Sequence, residues 1–146
     1  GESYLAGSIF RNNLLKLDRH VTMADDGGLQ TLHVKNGRPG DLFLFLSYSG
    51  IHYDYSKYAT ALSERGIKPC LITAFSDSAL ARQCDTVLLI PKSERVIGKV
   101  ANYSSMISLT YTLQVIYSLI FNQDYQENYR VKHEADSFIF TSFAEI

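Results

Sequence analysis

The sequence predicts an α/β domain built on a mostly parallel sheet, and three observations lead there. Residues 42–46 form an unbroken apolar run that stops abruptly in Ser47-Tyr48-Ser49-Gly50, the pattern of a strand buried on both faces. A helical pattern follows at once, with Tyr55, Tyr58, Ala59 and Leu62 at the i, i+3, i+4, i+7 spacing of one buried face. Two further strand-like runs, residues 69–74 and 85–90, repeat the alternation of strand and helix that sets parallel strands side by side.

Composition sets the limits. The chain has 146 residues, 46% hydrophobic and 20% charged, which suits one domain spanning residues 1–146. A formal net charge of −1 gives no electrostatic reason for these residues to bind nucleic acid. Cys70 and Cys84 form no CxxC pair and lie in or beside apolar segments, so reduced core cysteines of a cytoplasmic protein are expected, with a disulfide between them as the alternative. The opening residues lack a basic stretch followed by an apolar core, so no secretory signal is expected. Residues 103–121 are the one long apolar stretch. Ser104, Ser105, Ser108, Thr110, Thr112, Gln114 and Ser118 interrupt it, and a buried helix is expected there rather than a membrane span.

Taken in order, the chain opens on a small Gly-x-Ser turn, Gly1-Glu2-Ser3, and a helix with Phe10, Leu14 and Leu17 at i, i+4, i+7. This looks like the second half of a strand–turn–helix unit whose strand is missing. Residues 20–24 read as a short strand, 25–28 as a turn and 29–34 as a short helix before the loop at 36–40. After the helix that follows Gly50, Gly66 sits where a C-cap glycine belongs. The strand at 69–74 ends in a second polar turn, where Ser76 or Asp77 can cap a short helix through Gln83. The strand at 85–90 is closed by Pro91, and a long helix is expected over residues 94–121. The apolar tail, residues 136–146, reads as a strand, and an open slot in the sheet gives it a place to go. In parallel sheets ligands sit outside the carboxyl ends of the strands, so the turns at 1–4, 47–52 and 76–78 are expected to converge.

The Ser47–Gly50 turn is the strongest candidate site. A hydroxyl-rich turn between a strand and a helix N-terminus offers backbone N–H groups, the positive end of the helix dipole and serine hydroxyls to an anion. Its plain alternative is a serine-rich cap without a ligand. It is not a Walker loop, since no Gly-Lys-Ser/Thr follows, and no G-x-S-x-G elbow is present. Gly50 permits close backbone approach or a conformation closed to other residues. His52, in the first helical turn, can touch a bound phosphate or stand exposed. The histidines show no metal-ligand spacing, and neither a metal nor a cofactor is expected. Glu94 can face the cleft, or simply complement a helix dipole. The stripe Tyr103, Ile107, Tyr111 suits a core or a dimer interface.

With these residues in place, the chain resembles the SIS (sugar isomerase) domain, a phosphosugar-binding α/β module. Its members share a strand ending in Ser-x-Ser-Gly-x-Thr, here Ser47-Tyr48-Ser49-Gly50-Ile51-His52, and an earlier Gly-x-Ser turn, here Gly1-Glu2-Ser3. They also share an Ile-Thr strand followed by Ser-x-Leu-Ala, here Leu71-Ile72-Thr73 and Ser78-Ala79-Leu80-Ala81, and then an aspartate, Asp85, leading the next strand. Within that family the C-terminal part, residues 103–129, is similar to the sensor domain of RpiR-type bacterial transcriptional regulators. The resemblance implies a three-layer αβα fold with about five strands in a flavodoxin-like topology, a homodimer or higher homo-oligomer, and a phosphorylated sugar as effector. DNA would be met only through an N-terminal helix-turn-helix domain, which these residues do not include. By the same analogy Ser3, Ser47 and Ser49 hold the phosphate, within a turn that includes Tyr48, Gly50 and His52. His52 departs from the pattern by replacing a threonine.

The resemblance leaves three readings: a non-catalytic sensor, an aldose–ketose phosphate isomerase with Glu94 as the candidate base, or a vestigial dimerisation module. Isomerisation needs a paired acid and base, and no such pair is evident. The sensor is therefore the expectation.

Overall fold

The computed structural model describes the backbone of residues 2–144 and the side chains of residues 2–141. A three-stranded sheet, β1 (Phe43–Leu46), β2 (Pro69–Thr73) and β3 (Thr86–Leu89), runs in the order β1-β2-β3. Both pairings are parallel, with Phe43 opposite Pro69 and Cys70 opposite Thr86. Helices α1 (Glu2–Leu15) and α4 (Tyr103–Gln123) cover one face, and α2 (Gly27–Asn36) and α3 (Tyr53–Glu64) the other. Helix α5 (Tyr125–Ala144) follows α4 after a break at Asp124. The expected three-layer αβα architecture with parallel strands is present.

Each layer follows from its residues. On one face Ala6, Phe10 and Leu14 of α1 meet Ile72, Ile90, Leu109 and Leu113. On the other, Ala59 and Leu62 of α3 are fully buried against Leu71, Leu80 and Ile67, with Tyr55 and Tyr58 half-buried beside them. This is the face that the sequence pattern marks out. Gly66 ends α3 at φ +73°, where Ile67 N donates to Leu62 O (3.0 Å) and Gly66 N to Ser63 O (3.0 Å); a left-handed residue after a helix closes it in this way. Asp26 caps α2 by accepting from Leu29 N at 2.9 Å.

Several expectations need correction. The strand buried on both faces is β2, whose Leu71, Ile72 and Thr73 are fully enclosed, while every residue of β1 is half-buried. A strand is enclosed only when it has neighbours on both sides, and among the described residues β1 has one. The sheet has three strands there rather than about five. Residues 20–24 form no ladder with any strand among the described residues; Val21 packs onto the α1/α4 core. The tail expected as a strand is helical within α5, whose Arg130 bridges Glu127 and Glu134 and whose Lys132 pairs with Asp136 at helical spacing. Phe138 and Phe140 are 75% exposed, so the tail fills no sheet slot; its last two residues lie outside the described ones.

The long helix begins at Tyr103 rather than residue 94, because residues 91–102 form an irregular strap with Gly98 at φ +72°. The short helix after β2 is one 3₁₀ turn, Ala81–Gln83, and Ser78 rather than Ser76 or Asp77 caps it, its Oγ accepting from Ala81 N. Helix α4 is long and apolar enough to cross a membrane (mean hydropathy 1.3). Here it packs lengthwise on α1, burying Ser105, Leu109 and Leu113 and exposing Tyr103, Ile107 and Tyr111. That stripe is therefore not core. Cys70 and Cys84 are free thiols. Burial, helped by Cys70 and Asp85, pushes the Cys84 thiol up to about 11, which keeps it protonated and unreactive at neutral pH.

Candidate functional site

Parallel pairing brings the carboxyl ends of β1, β2 and β3 to one edge, and the chain leaves each end through a polar segment. After β1, Ser47 N is tied to Ile72 O (3.1 Å), and the Ser47 hydroxyl turns inward to accept from Gly50 N (3.2 Å). Gly50 is buried at φ +63°, and a Cβ there would lie 2.6 Å from the Ser78 Cβ. Gly50 O accepts from Leu80 N. Tyr48 O accepts from Ala74 N and from the Thr73 hydroxyl, both at 2.9 Å, which locks this turn to the one that follows β2. Helix α3 then begins with His52 as an N-cap that makes no side-chain capping bond. The first N–H groups of a helix lack intrahelical partners, so this uncapped end is open to an anion.

The strap after β3 is pinned to the same turn. The Tyr48 hydroxyl accepts from Glu94 N (2.8 Å) and donates to Glu94 O (2.9 Å). The Glu94 side chain, 9% exposed, reaches the start of α4. Its Oε1 accepts from Ser105 N (2.8 Å) and the Ser104 hydroxyl (3.0 Å), and its Oε2 from the Ser105 hydroxyl (2.7 Å). These bonds, the Ser105 N–H foremost, hold the carboxyl down at about 2. Lys99 Nζ lies 3.7 Å from Glu94 Oε2 and 5.3 Å from the centre of the Tyr48 ring. On the other side Lys92 sits 4.2 Å over Phe75, which packs edge-on against Tyr48.

A cleft of about 170 Å³ opens between the strap, α1 and α4. Ser3, Tyr48, Lys99, Asn102 and Ser105 line it, over a floor that includes Ile72 and Ile90. The structure thus brings Ser3 and Tyr48 to one cleft, with Ser47, Ser49 and Gly50 in the turn that carries Tyr48. Ser3 arrives from the first turn of α1 rather than from a loop, and Gly1 lies outside the described residues. His52 stands outside the cleft, exposed, with its ring stacked on Tyr55 at 4.2 Å. Ser78 is buried against Gly50, whereas Ser76 and Asp77 are exposed. A larger groove, about 390 Å³, runs between α3 and the 3₁₀ turn past Lys57, Thr60 and Arg82, away from the strand ends. Sequence reasoning missed Lys99, Ser104 and Ser105. Only their topology marks them, since the strap must cross the same sheet edge to reach α4. Among the described residues no group of three His, Cys, Asp or Glu side chains is placed to hold a metal ion.

Comparison with known proteins places this geometry. The chain is similar to the Vibrio vulnificus NanR protein complexed with ManNAc-6P, with a TM-score of 0.83 and 19% identity, over 97% of this chain and 53% of that one. It thus spans about half the NanR length. It is also similar to the sugar isomerase domain of an RpiR transcription factor from Sphaerobacter thermophilus (TM-score 0.76, 24% identity, 94% of this chain and 74% of that one). A third similar structure is a Listeria monocytogenes protein assigned as a sugar-phosphate isomerase (TM-score 0.69, 16% identity, 84% and 65%). These likenesses show the shared fold. No curated protein matches the chain significantly. The family profile of the SIS domain matches residues 1–120, from α1 almost to the end of α4. The chain belongs to the SIS domain family.

Proposed function

We propose that this chain is the sugar-phosphate-binding effector domain of a cytoplasmic transcriptional regulator of carbohydrate metabolism. The observation that carries this reading is the turn after β1: Gly50 in a left-handed conformation under an uncapped α3 N-terminus, with hydroxyls on either side. Such a turn binds a phosphate through backbone N–H groups and short hydroxyls without a counter-cation. Ser49 and the first N–H groups of α3 hold the phosphate, Ser47 shapes the loop, and His52 stands at its edge where the family motif has a threonine. The remainder of the sugar lies in the cleft beside Ser3 and Tyr48. The regulators among the similar structures, one of them complexed with a phosphosugar, support the same reading. DNA contact belongs to a helix-turn-helix domain outside these residues, and two sensors pair through the exposed stripe of α4.

The isomerase reading needs Glu94 as a base. Its carboxylate is engaged by Ser104 and Ser105 and held near 2, far below the range that suits a general base at neutral pH. The experiment is thermal unfolding against a panel of sugar phosphates. At least one is expected to raise the midpoint, with Ser49→Ala reducing the shift and Ser47→Ala reducing it through the loop. No shift from any member leaves the vestigial module as the better reading. Turnover that Glu94→Gln abolishes makes the domain an enzyme.

A further inference from the structure

We propose that Lys99 anchors a second anionic group of the ligand, so that this site takes a sugar phosphate that also carries a carboxylate. The inference rests on the sensor reading and comes from sorting the polar groups around the cleft into those already engaged and those left over. The Tyr48 hydroxyl both donates to and accepts from the Glu94 backbone. The Ser105 hydroxyl donates to Glu94, whose two oxygens are filled by Ser104 and Ser105. Glu2 accepts from Asn102 Nδ2. Among the described residues, the polar lining side chains that make no hydrogen bond are Ser3 and Lys99.

Both of these can donate, and one is a cation. Lys99 is held at the rim rather than satisfied there. Its ammonium lies 3.7 Å from Glu94 Oε2, beyond hydrogen-bond reach, and 5.3 Å over the Tyr48 ring, with 28% of its side chain exposed. The carboxylate and the ring position the ammonium while leaving its N–H groups for a ligand. A carboxylate there gains charge-assisted hydrogen bonds from Lys99. An ammonium at this rim would meet a like charge, and the carboxylate beside Lys99, Glu94, is already engaged by Ser104 and Ser105. Tyr48 lines this cleft and belongs to the phosphate turn; the ligand we propose has its phosphate over Ser49 and its far end at Lys99. The apolar floor of Ile72, Ile90, Met106 and Leu109 suits the carbon chain between.

A matched pair of open-chain probes tests this: 6-phosphogluconate and glucitol 6-phosphate, which differ only in whether C1 is a carboxylate or a hydroxymethyl group. Titration calorimetry on the full chain is expected to show 6-phosphogluconate binding about tenfold more tightly, as one charge-assisted contact allows. Lys99→Gln is expected to erase that preference and leave glucitol 6-phosphate within about twofold of the parent. Lys99→Arg, which keeps the charge, is expected to retain the preference and guards against misfolding as the cause. Ser49→Ala is expected to weaken both probes alike. Equal affinity for the two probes, or a preference that survives Lys99→Gln, overturns the role of Lys99 while the phosphate cradle stands. Binding of neither probe overturns both.

Discussion

Gly50 carries two demands at once, a left-handed backbone and contact with Ser78 that leaves no room for a Cβ. Gly50→Ala adds left-handed strain to a steric clash and is expected to cost about 2–4 kcal/mol in urea unfolding. Ser78→Gly removes the obstructing side chain but also the acceptor for Ala81 N. The double variant is therefore expected to be more stable than the sum of the two single effects, because only the clash is shared. Glu94 makes a separate prediction in pH. Its folded-state value of about 2 lies below the ordinary 4.5, so its contribution to stability is complete above about 4.5 and is lost as the pH falls toward 2. The melting temperature of the parent is expected to fall more steeply across that window than that of Glu94→Gln. Parallel curves would show that the carboxylate does not cap α4 in solution. Gly50 was legible in the sequence because a glycine between a strand end and a helix start marks a backbone that a side chain would obstruct. The Glu94 cap was not, because its partners lie ten and eleven positions downstream, beyond any local pattern.

Helix α4 shows how far an element can be read without its neighbours. Its apolar content marked a packed helix, and it does pack on α1, but a helix apolar on most sides leaves whatever α1 does not cover facing outward. Tyr103, Ile107 and Tyr111 are all exposed, one turn apart along the same side. A stripe of this kind on a helix that already has one partner suits a second copy of the chain. Ile107→Glu with Tyr111→Glu is expected to convert a dimer to a monomer in sedimentation velocity without loss of helicity. A parent that is monomeric at every concentration would refute pairing through this face. The 136–146 tail misled for the opposite reason. An apolar run suggests a strand, yet the helix that carries Arg130 and Lys132 simply continues through it as far as Ala144.

For the whole molecule, the layer order and parallel sheet were legible because apolar runs and helical spacing are local signals. Which strand sits in the middle was not. The richest apolar run, β1, lies at an edge of the described sheet, and the enclosed strand is β2, since enclosure depends on neighbours. The pairing of α1 with α4 has a consequence for how the protein is made. The strands join in chain order, each to the next, but Asn13 meets Gln114 across 101 positions of sequence. A chain emerging from the ribosome at roughly 5–20 residues per second can complete β1 to β3 while α4 is still unsynthesised. Until α4 emerges, α1 can meet Ile72 and Ile90 but lacks Leu109 and Leu113, which complete the cover over Ala6, Phe10 and Leu14. The helix that opens this domain is thus among its last to be fully buried, and its apolar face is what a nascent-chain chaperone would meet.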